Sequence, residues 1–424
     1  MKRILFYAFL HFIVISSALH SQWQTQYNGT SKFIISPYFV DANTGFAFGD
    51  SALVLKTTNG GTNWTTVNIG TPNSYAVMRG CMVDANRIYL PLTNNIWVGN
   101  GDGKILYSSD GGANWTTQLS TPRGIQMIVF TDPNNGYACG NCNGTFGALF
   151  RTTNAGANWN LFNVGVYNDL MFIYFYNAST GYLSSMKTDT ICKTVDAGAS
   201  WTRYKANAGY DVISGLFFVD PNTGYALSDH SRFLKTTNGG INWTVNASLD
   251  SLTGFSLAET SSSTFYMVSS NGTSYCIRKT TNAGANWYVQ LSGNDKDLSS
   301  VWFANQSTGW ITGMGIILNT NNGGGPIGIK KISNEVPFKY SLEQNYPNPF
   351  NPSTYINFDI VLKGNVKITI FDALGREVKT IINQELQTGK YKIEWSAANY
   401  PSGAYFYRLE TEGFTETKKM VLLR

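Results

Sequence analysis

Two carboxylates held about 5–10 Å apart can cleave a glycosidic bond, so the acidic residues are weighed first. Residues 22–330 hold fifteen aspartates and one glutamate, Glu259. Asp41, Asp132 and Asp220 recur in matching segments and read as turn residues. Asp169 and Asp211 each lie just ahead of a strand-like run, and they are the candidates for an acid pair at a central pocket. A Ser-His-Asp arrangement needs a histidine, yet beyond the first 21 residues only His230 remains. Cys139 and Cys142 form a C-x-x-C in "ACGNCNG". A zinc site takes about four ligands, and no second pair or His partner is near, so a local disulfide or two free thiols is expected. "GNGDGKI" at 99–105 glances at a calcium loop, but Val98 holds the first ligand position and no Glu follows at the twelfth. No metal and no cofactor is expected. Tyr75, Tyr167 and Tyr210 could stack on sugars or anchor a protein, or serve as core and edge packing.

Such residues need a scaffold, and repeats supply it. "TTNGGTNW" ends at Trp64, "SSDGGANW" at Trp115, "TTNAGANW" at Trp159, "TVDAGASW" at Trp201, "TTNGGINW" at Trp243, and "TTNAGANW" again at Trp287. The spacings of 51, 44, 42, 42 and 44 residues suit a four-stranded propeller blade. Upstream of most boxes stands a turn such as "VDANTGFAFG" from Val40 or "VDPNTGYALS" from Val219, flanked by alternating apolar residues. Units two and six lack it, reading "VDANRIYL" and "TSSSTFYM". The seventh unit runs from Leu298 to "NTNNGG" at Asn319–Gly324 without a Trp strand. "QWQTQ" at Gln22–Gln26 resembles "NWTTQ" at Asn114–Gln118, so Trp23 is expected to bring the missing strand and close the ring, hiding its sheet edges.

Ser108-Ser109-Asp110-Gly111-Gly112-Ala113-Asn114-Trp115 resembles the Asp-box (bacterial neuraminidase repeat) pattern, with Ser108 or Ser109 as its hydroxyl. Asp196 also holds the acidic place, and Asn59, Asn154, Asn238 and Asn282 replace it elsewhere. The longer K-T-T-N-G-G-x-N-W form resembles propellers of the photosystem II assembly-factor type. The resemblance covers 22–325 and implies boxes that are peripheral turns, far from the active face. Asp/Asn and Thr/Ser would cap backbone amides there while Trp packs between blades. It also raises sialidase chemistry, which needs an arginine triad, a Tyr nucleophile activated by Glu and a further acid. One glutamate cannot serve both the nucleophile and the triad.

From Glu335 the sequence changes character. "LEQNYPNPFNPST" places Pro347, Pro349 and Pro352 among Asn345, Asn348, Phe350 and Asn351, so the segment is extended or turned. Alternating runs follow, with "IFDALGREV" around Gly375, "SGAYFYRL" from Ser402 and Gly403, and a terminal "KKMVLL" from Lys418 and Lys419. About seven short strands in about 80 residues suit a small Ig-like sandwich. These segments resemble the type A C-terminal sorting domain of the type IX (Por) secretion system. The resemblance implies a host of the Bacteroidetes–Chlorobi kind, recognition by the translocon, and removal with surface attachment by a sortase-like peptidase.

Lys2 and Arg3, an apolar Ile4–Ile15 and small residues up to Ser21 read as a secretory signal. The run is short for a membrane span of about 20 residues, and no transmembrane anchor is expected after its removal. Net charge is +5, with 18 basic and 16 acidic residues spread over 22–334, so no concentrated basic face for nucleic acid is expected. The expectation is an all-β chain: signal peptide 1–21, seven-bladed β-propeller 22–325 closed by an N-terminal strand, linker 326–338, and Ig-like sorting domain 339–424. Its function is expected to be non-catalytic binding of a protein or polysaccharide at the outer-membrane surface or outside the cell. The alternatives are a secreted glycoside hydrolase with an Asp pair and a periplasmic assembly factor.

Overall fold

A computed structural model describes residues 23–94, 101–141, 146–186, 188–206, 209, 211–249, 252–324, 329–333, 335–397 and 400–423. The expected signal segment, Tyr210 and Cys142 lie outside the described residues. Everything regular within them is strand. Seven antiparallel meanders follow one another, with innermost strands Ile34–Phe39, Tyr75–Val77 with Cys81–Met82, Ile125–Phe130, Leu170–Phe175, Ile213–Phe218, Thr253–Glu259 and Leu298–Phe303. In the second blade the innermost strand is broken at Met78–Gly80, and both pieces pair with Ile88–Asn94. Innermost strands of neighbouring blades adjoin around the ring, the first against the seventh.

The seventh blade takes its outer strand from the other end of the chain. Gln24–Tyr27 pairs with Ile316–Thr320, Gln24 opposite Asn319 and Thr25 opposite Leu318. Trp23 is buried, and its Nε1–H donates to Gln290 Oε1 of the sixth blade at 3.1 Å.

Blades pack through one recurring slot. Phe39, Phe130, Phe175, Phe218 and Phe303 end innermost strands. Each lies over an aromatic ring of the preceding blade (Trp310, Tyr89, Tyr137, Tyr182 and Tyr266) with ring centres 3.5–4.2 Å apart. Each also meets its own blade's tryptophan (Trp64, Trp159, Trp201, Trp243 and Trp23) at 5.9–6.3 Å, edge to face. The residue opposite each Phe is glycine: 45, 136, 181, 224 and 309. A Cβ there would stand 2.3–2.6 Å from the ring, which explains the glycine of the Asn-Thr-Gly turn. The two blades without that turn solve the problem differently. Met82 faces Ile88 in the second, and Glu259 faces Phe265 in the sixth. Phe265 itself fills the slot, 4.7 Å from Tyr225 of the preceding blade.

The C-terminal module is a two-sheet sandwich. One sheet orders Ile329–Ser333, Gly389–Ser396, Ser353–Ile360 and Ser341–Leu342; the other orders Glu377–Leu386, Gly364–Phe371, Gly403–Thr411 and Phe414–Leu422. Ile356, Phe358, Ile368, Tyr407 and Leu409 form part of its core. The expected linker 326–338 is corrected here: Ile329–Ser333 is an edge strand, Ile329 opposite Ile393. A five-residue run is too short to show a period.

Trp23→Ala removes the side chain that seats the closing strand. It should cost about 3–5 kcal/mol, seen as a lower urea midpoint, with the sixth–seventh blade junction losing hydrogen-exchange protection first.

Candidate functional site

The boxes link the third and fourth strands of their blades, and their chemistry is spent on the ring. Ser108, not Ser109, is the hydroxyl of its box. It and Thr57, Thr152, Thr194, Thr236, Thr280 and Thr320 accept the amide of the second box glycine, or Gly156, Gly198 or Gly284, at 2.7–3.0 Å. Asp110 and Asp196 each accept the amide four residues on at 2.9 Å. Accepted hydrogen bonds, led by the Asn114 amide at Asp110 and the Ser200 hydroxyl at Asp196, hold both carboxyls down at about 2. Box carbonyls in turn accept from the preceding blade. Tyr89, Tyr137, Tyr182 and Tyr266 donate to Ala155, Ala197, Gly239 and Gly323 at 2.8–3.1 Å. Lys56, Lys193 and Lys279 reach Gly111, Gly239 and Gly323 at 2.6–2.8 Å.

The remaining concave feature on the ring axis is a cavity of about 780 Å³ walled by the innermost strands of all seven blades. One layer of its wall is Ser36, Arg79, Met127, Phe172, Gly215, Ser256 and Ser300. The layer two residues further along each strand is Tyr38, Cys81, Val129, Tyr174, Phe217, Ala258 and Trp302. Tyr38 and Trp302 stack at 4.6 Å. Arg79 reaches across the axis: its Nη2 donates to Phe255 O at 3.4 Å, and its guanidinium lies 5.8 Å from the Phe172 ring centre. Burial lowers its pKa from the ordinary arginine value.

Glu259 stands at the mouth of this cavity. Water reaches the side chain, but the walls displace enough of it to push the carboxyl up to about 7. Its field is felt by Tyr174. The other acids there are committed. Asp132 accepts the amides of Asn134 and Asn135 at 2.8 and 2.9 Å, and Asp84 those of Asn86 and Arg87 at 2.9 and 2.8 Å. Asp84 also pairs with the Arg87 guanidinium at 2.7 Å. Asp41 and Asp220 bind turn amides in the same way.

The residues singled out for a ligand do not converge. Of the two roles open to Tyr75, the structure gives it the packing one: it is buried, its hydroxyl donates to Asp102, and Lys104 covers its ring at 4.9 Å. Both partners come from strands or loops that only folding brings near. Tyr167 is 75% exposed. Asp169 and Asp211 do not line the axial cavity. Asp211 is buried in a knot of Ser228 (3.0 Å), His230 (3.0 Å) and Arg232 (3.3 Å). Asp229 joins it, and the ligand atoms of Asp211, Asp229 and His230 lie within 4.8 Å of one another. Arg232 already occupies that carboxylate, so the group is an ion-pair cluster. Cys139 is a buried free thiol, pushed up to about 12 by burial. Sequence reasoning missed Glu259 as a site residue. Its signal was the loss, in one unit, of both the strand-ending Phe and the turn Gly.

In the terminal module Asn345 is buried and donates to Pro347 O at 3.0 Å and Thr354 Oγ1 at 2.9 Å. Pro347, Pro349 and Pro352 each follow a cis peptide bond. Phe350 is buried 5.5 Å from the Trp395 ring. Asn348 Oδ1 accepts the Val421 amide at 2.9 Å, and Asn351 leads into the strand beginning at Ser353. Gly375 takes φ 76° in the Asp372–Arg376 turn. Ser402 precedes the strand Gly403–Thr411. Lys418 pairs with Glu416 at 3.0 Å, and Lys419 O accepts from Gln344 at 2.7 Å.

Fold and terminal module together define an all-β propeller protein with a C-terminal sorting domain. Residues 344–423 match the family model of the secretion system C-terminal sorting domain, and 151–295 match that of the photosynthesis system II assembly factor YCF48. The propeller is thus of the BNR-like, YCF48-like type, and the sorting domain marks the chain for export by the type IX route to the cell surface or beyond. Among solved structures it is similar to YCF48 bound to D1 peptide (15% identity, TM-score 0.59, covering 71% of this chain and 95% of that one). It is also similar to YCF48 from Cyanidioschyzon merolae (16%, 0.56, 70% and 98%). A third is the GH74 enzyme of Niastella koreensis (13%, 0.57, 95% and 75%). At these identities the likeness is one of fold. Curated proteins give no match. Among the described residues no helix is long and apolar enough to cross a membrane.

Two outcomes follow for pH. Depressed carboxyls stabilise above their unfolded values and lose that effect as pH falls toward about 2. The double variant Asp110→Asn, Asp196→Asn should keep the melting temperature at pH 7, since Asn serves in other boxes, and show a shallower acid limb. Glu259 has the opposite sign: raised in the fold, it lowers stability as pH climbs from about 4 to about 7. Glu259→Gln should match the native chain at pH 4 and melt higher at pH 8.

Proposed function

We propose that the chain is a non-catalytic receptor displayed at the cell surface, which binds a protein ligand at the axial mouth of its propeller. One observation carries this reading. Among the described residues, Glu259 is the single carboxylate at the mouth that no turn amide or cation holds, so they do not bring together there the two free acids of a glycoside hydrolase. A mouth with Tyr38, Tyr174 and Trp302 partly exposed offers rigid aromatic area of the kind that anchors binding partners. That YCF48 has been solved bound to D1 peptide supports a peptide segment, rather than a polysaccharide, as ligand for this type of propeller. In this reading the signal peptide takes the chain across the inner membrane, the translocon recognises the sorting domain, and a sortase-like peptidase removes it. The edge strand at Ile329–Ser333 belongs to the sorting sheet, which supports cleavage before it, in the glycine-rich segment after Gly324.

The test is intact-mass analysis of the surface, medium and periplasmic pools of the native host. A surface form that starts near Gln22 and lacks the sorting domain is expected, and deleting 329–424 should strand the chain in the periplasm. A full-length chain held in the periplasm overturns the reading, and turnover of a polysaccharide by the purified protein overturns its non-catalytic part.

A further inference from the structure

The seven innermost strands are equivalent in the ring, but the mouth they form is not symmetric. Five blades end that strand in a phenylalanine locked into the slot between blades. In the sixth, Phe265 of the neighbouring strand fills the slot from the other side, beside Tyr225 and Phe217. Residue 259 is thereby released from packing, and it is the only glutamate of 22–330. The residue before it, Ala258, is the smallest of its layer, where four other blades carry Tyr38, Tyr174, Phe217 and Trp302. Space and an aromatic surround therefore coincide at one acid.

That acid has no ion pair or side-chain hydrogen bond among the described residues. The nearby charges do not neutralise it. Arg87 is taken by Asp84. Asp132 is taken by its turn and adds negative field. Tyr38, Tyr174 and Tyr176 line the mouth, and burial raises the first two phenols above the ordinary tyrosine value. Arg79 binds the carbonyl of Phe255, four residues earlier on the same strand, which is about 13 Å along it. It floors the cavity with positive charge and limits how deep a cation can pass.

We infer that the mouth is a socket for one cationic side chain of a protein partner, its charge set against the Glu259 carboxylate and its alkyl stem between Tyr174 and Trp302. The inference rests on the receptor reading above. An unpaired carboxylate supplies the Coulomb attraction, and aromatic faces add cation–π attraction to an ammonium or guanidinium that has left water. A neutral sugar could donate hydroxyls to the carboxylate but would bring no opposing charge and no cation for the aromatic faces.

The probe is the capped tripeptide acetyl-Gly-Lys-Gly-amide, with its Arg counterpart and its Nε-acetyl-lysine counterpart, titrated into the mature protein and followed by ligand-observed NMR. Saturable binding of the Lys and Arg peptides is expected, at least fivefold weaker for the acetylated one. Glu259→Gln should weaken the charged peptides at least fivefold and leave the acetylated one unchanged. Affinity of the native protein should rise from pH 6 to pH 8 as Glu259 ionises, and that slope should vanish in E259Q. Ala258→Trp fills the space beside Glu259 while keeping the charge, and it should also abolish binding with the melting temperature held. Equal binding of charged and acetylated peptides, or an unchanged E259Q, overturns the socket, as does preferential binding of neutral oligosaccharides at the same residues. If the peptides fail while the chain is correctly displayed, only the socket falls; a chain retained in the periplasm removes the receptor reading itself.

Discussion

Everything in the ring depends on the slot between neighbouring blades. A four-stranded sheet of this size buries too little surface to stand alone, so each blade is stable only against its neighbours. The slot meets that demand with a three-ring sandwich: the phenylalanine of one blade, an aromatic of the blade before, and the box tryptophan at its edge. The phenylalanine can lie flat only because its cross-strand partner has no side chain, as at Gly224 beside Phe218. The turn glycine is thus a packing residue first. Closure follows from the same demand: without Gln24–Tyr27 the seventh blade would present an open edge at Ile316–Thr320.

The boxes serve the same interface by polar means. A third-strand lysine and a second-strand tyrosine both reach a carbonyl in the next blade's box, as Lys193 and Tyr182 do at Gly239. Those carbonyls point outward because the hydroxyl and Asp/Asn side chains have turned the loop inward around its amides. Side chains thus satisfy the loop's amides and the neighbouring blade its carbonyls, while the buried indole N–H groups of Trp64, Trp159, Trp201 and Trp287 at the same junctions find no partner among the described residues. The most repeated motif of the sequence is therefore a clasp, and its repetition reflects the repetition of the junction.

Much of this was legible because repetition makes local chemistry visible: the period gave blades, the missing Trp strand pointed to Trp23, and the proline-rich segment marked the terminal module. What stayed hidden depends on residues far apart in the chain. Tyr75 could not be assigned between a ligand contact and packing because its partner Asp102 comes from the segment before a different strand. Asp211 looked like a pocket acid because the knot around it, from Ser228 to Arg232, forms only when two loops meet. Ile329–Ser333 looked like linker because an edge strand needs a partner more than a pattern. Glu259 was counted but not placed, since its freedom comes from Phe265 filling a slot that the sequence does not draw.

A ring of near-identical units faces a difficulty in recognising anything that is not itself sevenfold. Contacts made by repeated residues are spread evenly around the axis, and a single asymmetric ligand cannot prefer one blade over another. The difference must come from units that break the pattern, and here the second and sixth do. The second replaces the slot pair by Met82 and Ile88 and supplies Arg79 and the Asp84–Arg87 pair; the sixth replaces it by Glu259 and Phe265. Apart from the turn-bound Asp132, these two blades supply the charged side chains of the axial cavity. They place a cation at its floor and an anion at its mouth. The departures from the repeat that weaken its reading as a blade are thus the same departures that give the channel a direction, a depth and a charged side.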